Sequence, residues 1–242
     1  MMTLKNKRIL IIGGSSGIGL RVAELAAEQG ADLLILGRDA KRLDHAQATL
    51  AALTGRVEAV KLDATDIRAF SEFVADLPPI DHMVSMLGGA MGGGLLSADL
   101  GEISKNIDAK FQANLQVARI ISSKLNTNGS MVFTSGSGGR PHTASGAYVG
   151  NMALKALTES LAVELAPRIR VNAVAPTWTP TPFWRDLPTA QRLEIEQRFC
   201  ELIPLKRVAT LDELASGYLF LLQNGFITGQ ELAIDGGIML TL

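Results

Sequence analysis

The stretch Ile9-Leu10-Ile11-Ile12-Gly13-Gly14-Ser15-Ser16-Gly17-Ile18-Gly19 decides the fold. Four apolar β-type residues run into a glycine-rich turn, and the turn opens a helical period over 18–29. Glycine tolerates positive φ and close backbone approach, while a helix N-terminus presents unpaired N–H groups and a positive dipole end. A strand, such a turn and a helix in succession make a seat for a pyrophosphate. The same grammar fills the rest of the chain. Strands are predicted over 8–12, 32–36, 57–62, 82–87, 130–134, 170–174 and 231–234, and helices over 18–29, 41–53, 67–77, 102–125, 147–166 and 211–223. Alternation of this kind predicts an α/β fold, a doubly wound parallel sheet of about seven strands with helices on both faces. No Ser/Pro/Gly linker divides the chain. One dinucleotide-binding domain over 1–242 is therefore expected, with longer non-strand stretches at 88–94 and 176–205.

Composition narrows the function. The 242 residues are 47% hydrophobic and 19% charged, which excludes disorder and allows a sizeable core. Lys and Arg (23) nearly balance Asp and Glu (24), and no run of one sign appears, so neither nucleic acid nor a membrane surface is expected as a partner. The single cysteine, Cys200, has no internal disulfide partner, and His45, His82 and His142 lack ligand spacing, so no metal site is expected. The sequence passes from Met1 through Lys5 and Arg8 straight into a strand, and no apolar stretch reaches the roughly 20 residues of a spanning helix. A cytoplasmic protein is expected.

The spacing Gly13-x-x-x-Gly17-x-Gly19 resembles the cofactor turn of the short-chain dehydrogenase/reductase family. Three further motifs carry the likeness: Asp63 closing Val60-Lys61-Leu62-Asp63, the run Val171-Asn172-Ala173-Val174-Ala175-Pro176, and Ile227-Thr228-Gly229-Gln230 followed by Ile234-Asp235-Gly236-Gly237. The resemblance covers nearly the whole chain and implies a Rossmann-type sheet of order 3-2-1-4-5-6-7. It implies cofactor contacts from Gly13, Ser15, Ser16, Gly17, Ile18 and Gly19 in the turn, from Asp63 and Ala64 near the adenine, and from Gly88, Pro176, Thr179 and Thr181 farther along. A lid over 177–205 and a homodimer or homotetramer are implied in the same way.

Members that use NAD usually end the second strand with an acid that bonds the ribose hydroxyls. Here that place reads Leu36-Gly37-Arg38. Gly37 leaves room, and Arg38 offers a permanently charged planar fork to a 2′-phosphate, with Ser15 or Ser16 as further donors. NADP(H) is the expected cofactor.

The family's catalytic Asn, Ser, Tyr and Lys are only partly matched. Ser135, ending Val132-Phe133-Thr134-Ser135, takes the serine place. Tyr148 follows at the family's separation of 13 residues, but the lysine place four residues on holds Met152, and Lys155 lies about 4.5 Å farther along a helix. Counting back from Leu161-Ala162-Val163-Glu164-Leu165 instead puts Ala147 in the tyrosine place and Asn151 in the lysine place. Either register loses the lysine. The family asparagine falls on Lys110, with Asn114 one turn on, so Lys110 and Asn151 read as an exchanged pair in which Lys110 supplies the ammonium from the other side of the pocket, or else Lys110 is an exposed or salt-bridged helix residue. A tyrosine without cationic help stays protonated at neutral pH, so such a site favours reduction over oxidation.

Two further departures concern the strand ends and the lid. Ser85-Met86-Leu87-Gly88 keeps the glycine but replaces the family's Asn-Asn-Ala, so loss of polar bracing between strands is expected. Trp178 and Trp184 in the lid suggest an apolar or aromatic substrate, or else serve to pack the lid helix over 189–202. Together these readings predict an NADP(H)-dependent oxidoreductase that reduces a carbonyl or enone of a small molecule. The alternative is an NADP(H)-binding sensor or interaction protein with little redox turnover.

Overall fold

The computed structural model describes residues 2–54, 56–89, 94–137 and 146–241. Part of the predicted 88–94 loop (90–93) and His142 therefore lie outside the described residues. Seven strands form one parallel sheet: β1 (Arg8–Ile12), β2 (Asp32–Gly37), β3 (Val57–Lys61), β4 (Ile80–Ser85), β5 (Leu125–Thr134), β6 (Ile169–Pro176) and β7 (Glu231–Ile234). Their order is β3-β2-β1-β4-β5-β6-β7, as the family resemblance implies.

The sheet is parallel because each strand returns through a helix, and helices then cover both faces. Side chains alternate along β1. Ile9 and Ile11 pack with α1 (Gly17–Glu28), α2 (Ala40–Ala51) and α8 (Leu211–Gln223), while Leu10 and Ile12 pack with α3 (Ile67–Ala75), α5 (Gln112–Ile121) and α6 (Gly146–Glu164). The remaining helices are α4 (Leu100–Lys110) and α7 (Thr189–Leu202). Caps explain several boundaries: Asp39, Asp66 and Asp99 accept N–H bonds at the starts of α2, α3 and α4, and Thr210 with Glu213 forms a capping box on α8.

The structure corrects three boundaries. The single helix predicted over 102–125 is broken at Phe111 (φ −87°, ψ −64°) into α4 and α5. There the Asn114 side chain donates to the Lys110 carbonyl at 2.7 Å, the acceptor that the helical ladder would give to Asn114's own N–H. β5 begins five residues early, at Leu125 beside Ile80, and β4 ends at Ser85 rather than at 87.

His82 of β4 is buried against Ser130 of β5, with Nδ1 and Oγ 2.9 Å apart. Burial pulls its pKa down to about 4. The folded protein thus keeps this ring neutral while an unfolded chain protonates it below about 6.5, so stability falls as pH drops from about 6.5 to about 4. That window is expected to cost wild-type protein up to about 3 kcal/mol, since each tenfold difference in proton affinity is worth about 1.4 kcal/mol. Urea melts of His82→Leu should lack this component; a variant with the wild-type slope would rule His82 out as its source.

Candidate active site

The phosphate turn fits the ligand its sequence predicts. Gly13 (φ +85°) and Gly17 (φ +57°) adopt conformations that favour glycine. A β-carbon on Gly13 would lie 2.8 Å from Met86 Cβ, and one on Gly19 would run into the Gly13 carbonyl. Ser16 stands at the N-cap of α1 without a side-chain cap bond, and the first turn carries no acid, so the helix end keeps its N–H groups and positive potential for an anion. Ser15, Ser16 and Ile18 are half-buried around this cradle.

Beyond the ends of β2 and β3 lies a cavity of about 280 Å³, lined by Arg38, Lys61, Leu62, Asp63, Asp66 and Ala69. Arg38 Nη1 stands 3.9 Å from Asp63 Oδ2 in an exposed pair, which binds the guanidinium weakly and leaves its fork free for a phosphate. Asp63 Oδ1 accepts from Thr65 N (3.0 Å) and Oγ1 (2.7 Å), and Ala64 is buried behind it. A β-carbon on Gly37 would lie 2.8 Å from Ser15 Oγ, so Gly37 makes room for that serine in the turn. These residues leave room and donors for the adenosine end of a dinucleotide.

The lid reaches the same turn. A β-carbon on Gly17 would lie 3.6 Å from Thr181 Cβ and 3.5 Å from Pro182 Cδ, so the lid crosses the opening of α1. Thr181 caps the short 3₁₀ turn Pro182–Trp184, accepting from Phe183 N at 3.3 Å, and the buried Thr179 donates to the Thr177 carbonyl at 3.2 Å. Trp178 stacks on Trp184 (6.2 Å) and on Phe199 of α7 (5.8 Å), and Trp184 Nε1 donates to the Thr179 carbonyl at 3.1 Å. The tryptophans therefore pack α7 onto the lid. Of the two readings from sequence, packing is the one the geometry supports.

The strand ends are braced despite the altered motif. Ser85 Oγ donates to Asn114 Oδ1 (2.7 Å), and Thr134 Oγ1 donates to the Ser85 carbonyl (2.7 Å). The expected loss of bracing does not occur, because one serine and the helix-break asparagine replace it.

Lys110 is the centre of the remaining constellation. It ends α4, is only 6% exposed, and donates from Nζ to the carbonyls of Thr134 (2.9 Å) and Ser135 (3.1 Å). Among the described residues no carboxylate lies within ion-pair distance of it. Burial pulls its pKa down to about 8, partly offset by the charge of Glu231. Ser135 leaves β5 with its N–H on the Val174 carbonyl (2.8 Å), and its buried Oγ has no partner among the described residues. Pro176 accepts from Ser137 N at 2.9 Å and thereby carries the 135–137 segment along the end of β6.

Three glycines make the space. A β-carbon on Gly88 would lie 2.7 Å from Lys110 Nζ, one on Gly150 would lie 3.2 Å from Lys110 Cβ, and one on Gly136 would lie 2.8 Å from Asn151 Nδ2. Asn151 thus faces the Ser135–Gly136 strand end, with Oδ1 buried and unpartnered, while Met152 turns outward at 49% exposed. Tyr148 stands half-buried in the first turn of α6. The sequence reading missed Asn106, one turn before Lys110, whose buried amide lies against Gly89 with Oδ1 unpartnered. The i,i+4 spacing to Lys110 was the available signal.

The family model described as "Enoyl-(Acyl carrier protein) reductase" matches residues 13–239. The chain belongs to the short-chain dehydrogenase/reductase family of oxidoreductases. It is 31% identical over 256 residues to 2,3-dihydro-2,3-dihydroxybenzoate dehydrogenase of Bacillus subtilis, covering 98% of this chain and 97% of that one. It is 30% identical over 239 residues to galactitol 2-dehydrogenase (L-tagatose-forming) of Cereibacter sphaeroides, covering 94% and 92%. Among solved structures it resembles L-sorbose reductase of Gluconobacter frateurii complexed with NADPH and L-sorbose, with TM-score 0.85, 25% identity and coverage of 100% and 99%. Among the described residues no helix is long and apolar enough to cross a membrane.

The buried lysine leaves a thermodynamic trace. Between about pH 8 and 10.5 the folded protein has released the Lys110 proton while an unfolded chain still holds it, so stability rises with pH across that window. Relative to Lys110→Met, wild-type protein should gain up to about 3 kcal/mol there, again at about 1.4 kcal/mol for each tenfold difference in proton affinity. Parallel stability curves for the two proteins would contradict the burial of a charged amine.

Proposed function

We propose that this protein is an NADP(H)-dependent reductase of the carbonyl or enone group of a small molecule, working in the cytoplasm as a homodimer or homotetramer. The observation that carries this reading is the buried Ser135 hydroxyl without a partner, beside a lysine ammonium bonded to that serine's own carbonyl. A buried hydroxyl left unpaired is costly, and a substrate oxygen would satisfy it. NADPH supplies the hydride when bound. The glycine turn and the N-terminus of α1 would hold its pyrophosphate, the Arg38 fork its 2′-phosphate, and Asp63 with Ala64 the adenine side. Gly88, Pro176, Thr179 and Thr181 would flank its nicotinamide half.

On the substrate side, Ser135 would hold the carbonyl oxygen, and Tyr148 and Lys110 are the two groups that can supply its proton. Asn151 lies against the strand end at Gly136. The outward turn of Met152 and the inward turn of Asn151 support the register in which Asn151 takes the lysine place and Lys110 the asparagine place. The NADPH in the sorbose reductase complex and the exposed Arg38 support the choice of dinucleotide.

Calorimetric titration with NADPH and NADH tests the reading directly. At a hundred times its dissociation constant NADPH should stabilise the protein by about 2.7 kcal/mol. Arg38→Asp should weaken NADPH at least tenfold relative to NADH. Deuteride from labelled NADPH should then appear in a product from a panel of ketones, quinones and enones. Binding without transfer would point to a nucleotide sensor, and failure to bind either dinucleotide would overturn the proposal.

A further inference from the structure

The Lys110 ammonium has three protons and, among the described residues, two protein acceptors. The carbonyls of Thr134 and Ser135 take two, and no carboxylate among the described residues takes the third. The same Ser135 carries the unpartnered hydroxyl, so a free donor and a free hydroxyl meet at one residue. Gly88 closes over the nitrogen and Gly150 against the lysine stem, which leaves the side chain little freedom to swing to solvent. A cation held this way, without a counter-ion, is poised to lose its positive charge rather than to keep it.

We infer that Lys110 is the proton donor of the proposed reductase, giving its third Nζ proton to the carbonyl oxygen held by Ser135. This rests on the reductase reading above. In the step, hydride from the reduced dinucleotide forms a C–H bond at the carbonyl carbon, and the π pair of the C=O moves to oxygen. That oxygen takes the proton from Nζ, the N–H pair stays on nitrogen, and the neutral amine regains a proton from water. Tyr148 then orients the substrate instead of supplying the proton.

The surroundings suit an amine that titrates near neutrality. Burial favours its neutral form and pulls it down to about 8. Glu231 on β7 opposes this in part. On its own helix Asn106 is neutral, and Lys105 and Asp108 are exposed. β4 and β5 present Ser85, Thr134 and Ser135, while α6 presents Gly150 and Asn151, with Lys155 a turn beyond.

The test compares wild type, Lys110→Arg, Lys110→Met, Tyr148→Phe and Lys105→Ala in single-turnover reduction across pH 6 to 10. NADPH affinity is measured by calorimetry on the same samples. Lys110→Arg keeps the charge but cannot give up its proton, and the NADPH affinity of each variant shows whether it has folded. Wild type should lose rate above about pH 8, in step with the Lys110 titration read by NMR of ¹³Cε-labelled lysine in the substrate-free protein. Both Lys110 variants should lose at least about a hundredfold in rate and lose that pH limb, with NADPH affinity within a few-fold of wild type. Tyr148→Phe should be slower yet keep the limb, and Lys105→Ala should match wild type. If Lys110→Arg keeps the rate, or if the limb vanishes in Tyr148→Phe, the inference is wrong while the reductase reading stands. If wild type binds NADPH but reduces nothing in the panel, the reductase reading falls and takes the inference with it.

Discussion

A parallel sheet ends, at its C-terminal edge, in carbonyls that no further strand can pair. In this protein the end of β5 is closed by an ammonium: Lys110 takes the carbonyls of Thr134 and Ser135 at once. That contact ties α4 to the sheet between β4 and β6, where the site's polar groups converge. It also fixes where Ser135 leaves the strand, because the serine's carbonyl is held by the lysine and its N–H by Val174. The helix break at Phe111 belongs to the same arrangement. Asn114 occupies the Lys110 carbonyl and reaches Ser85, so a single turn of helix joins the ends of β4 and β5.

Such a contact needs room that ordinary residues would deny. Gly88, Gly136 and Gly150 come from three separate elements, and a β-carbon on any of them would press on Lys110 or Asn151. The turn at Gly13 and Gly19 follows the same rule on the other side of β4, where Met86 and the turn's own backbone fill the space. The glycine turn and the Lys110 cluster are thus both built by omission of side chains, with Met86 and Gly88 standing two residues apart between them.

Much of this was legible in the chain. The apolar run of β1, the glycine spacing and the alternation of seven strand-like runs with six helical periods gave the order of elements, since apolar period and turn chemistry agree there. The length of β5 and the break in the fourth helical period were not legible. Both depend on tertiary contacts, the pairing of Leu125 with Ile80 and the side-chain bond of Asn114, which leave the local apolar pattern unchanged. At the site, the displaced lysine could be placed by counting, but its burial could not, because one Lys within the helical period over 102–125 reads equally well as exposed or salt-bridged. The role of Trp178 and Trp184 was ambiguous for a related reason: an aromatic pair in a lid has the same composition whether it faces a ligand or Phe199.

The cost of burying Lys110 bears on why it is there. If the lysine served only to join α4 to the strand ends, a neutral donor would do so without the desolvation that pulls its pKa to about 8. A neutral amide of greater reach, such as glutamine, could bond a carbonyl as Asn114 and Thr134 do nearby. An amine differs from these in one respect: its third proton can leave, and its neutral form is the one that the surroundings prefer. Structural need therefore accounts for the two carbonyl bonds but not for the choice of residue. The unpartnered Ser135 hydroxyl at the same strand end supplies the missing reason, since it marks the place where an oxygen would arrive to take that proton.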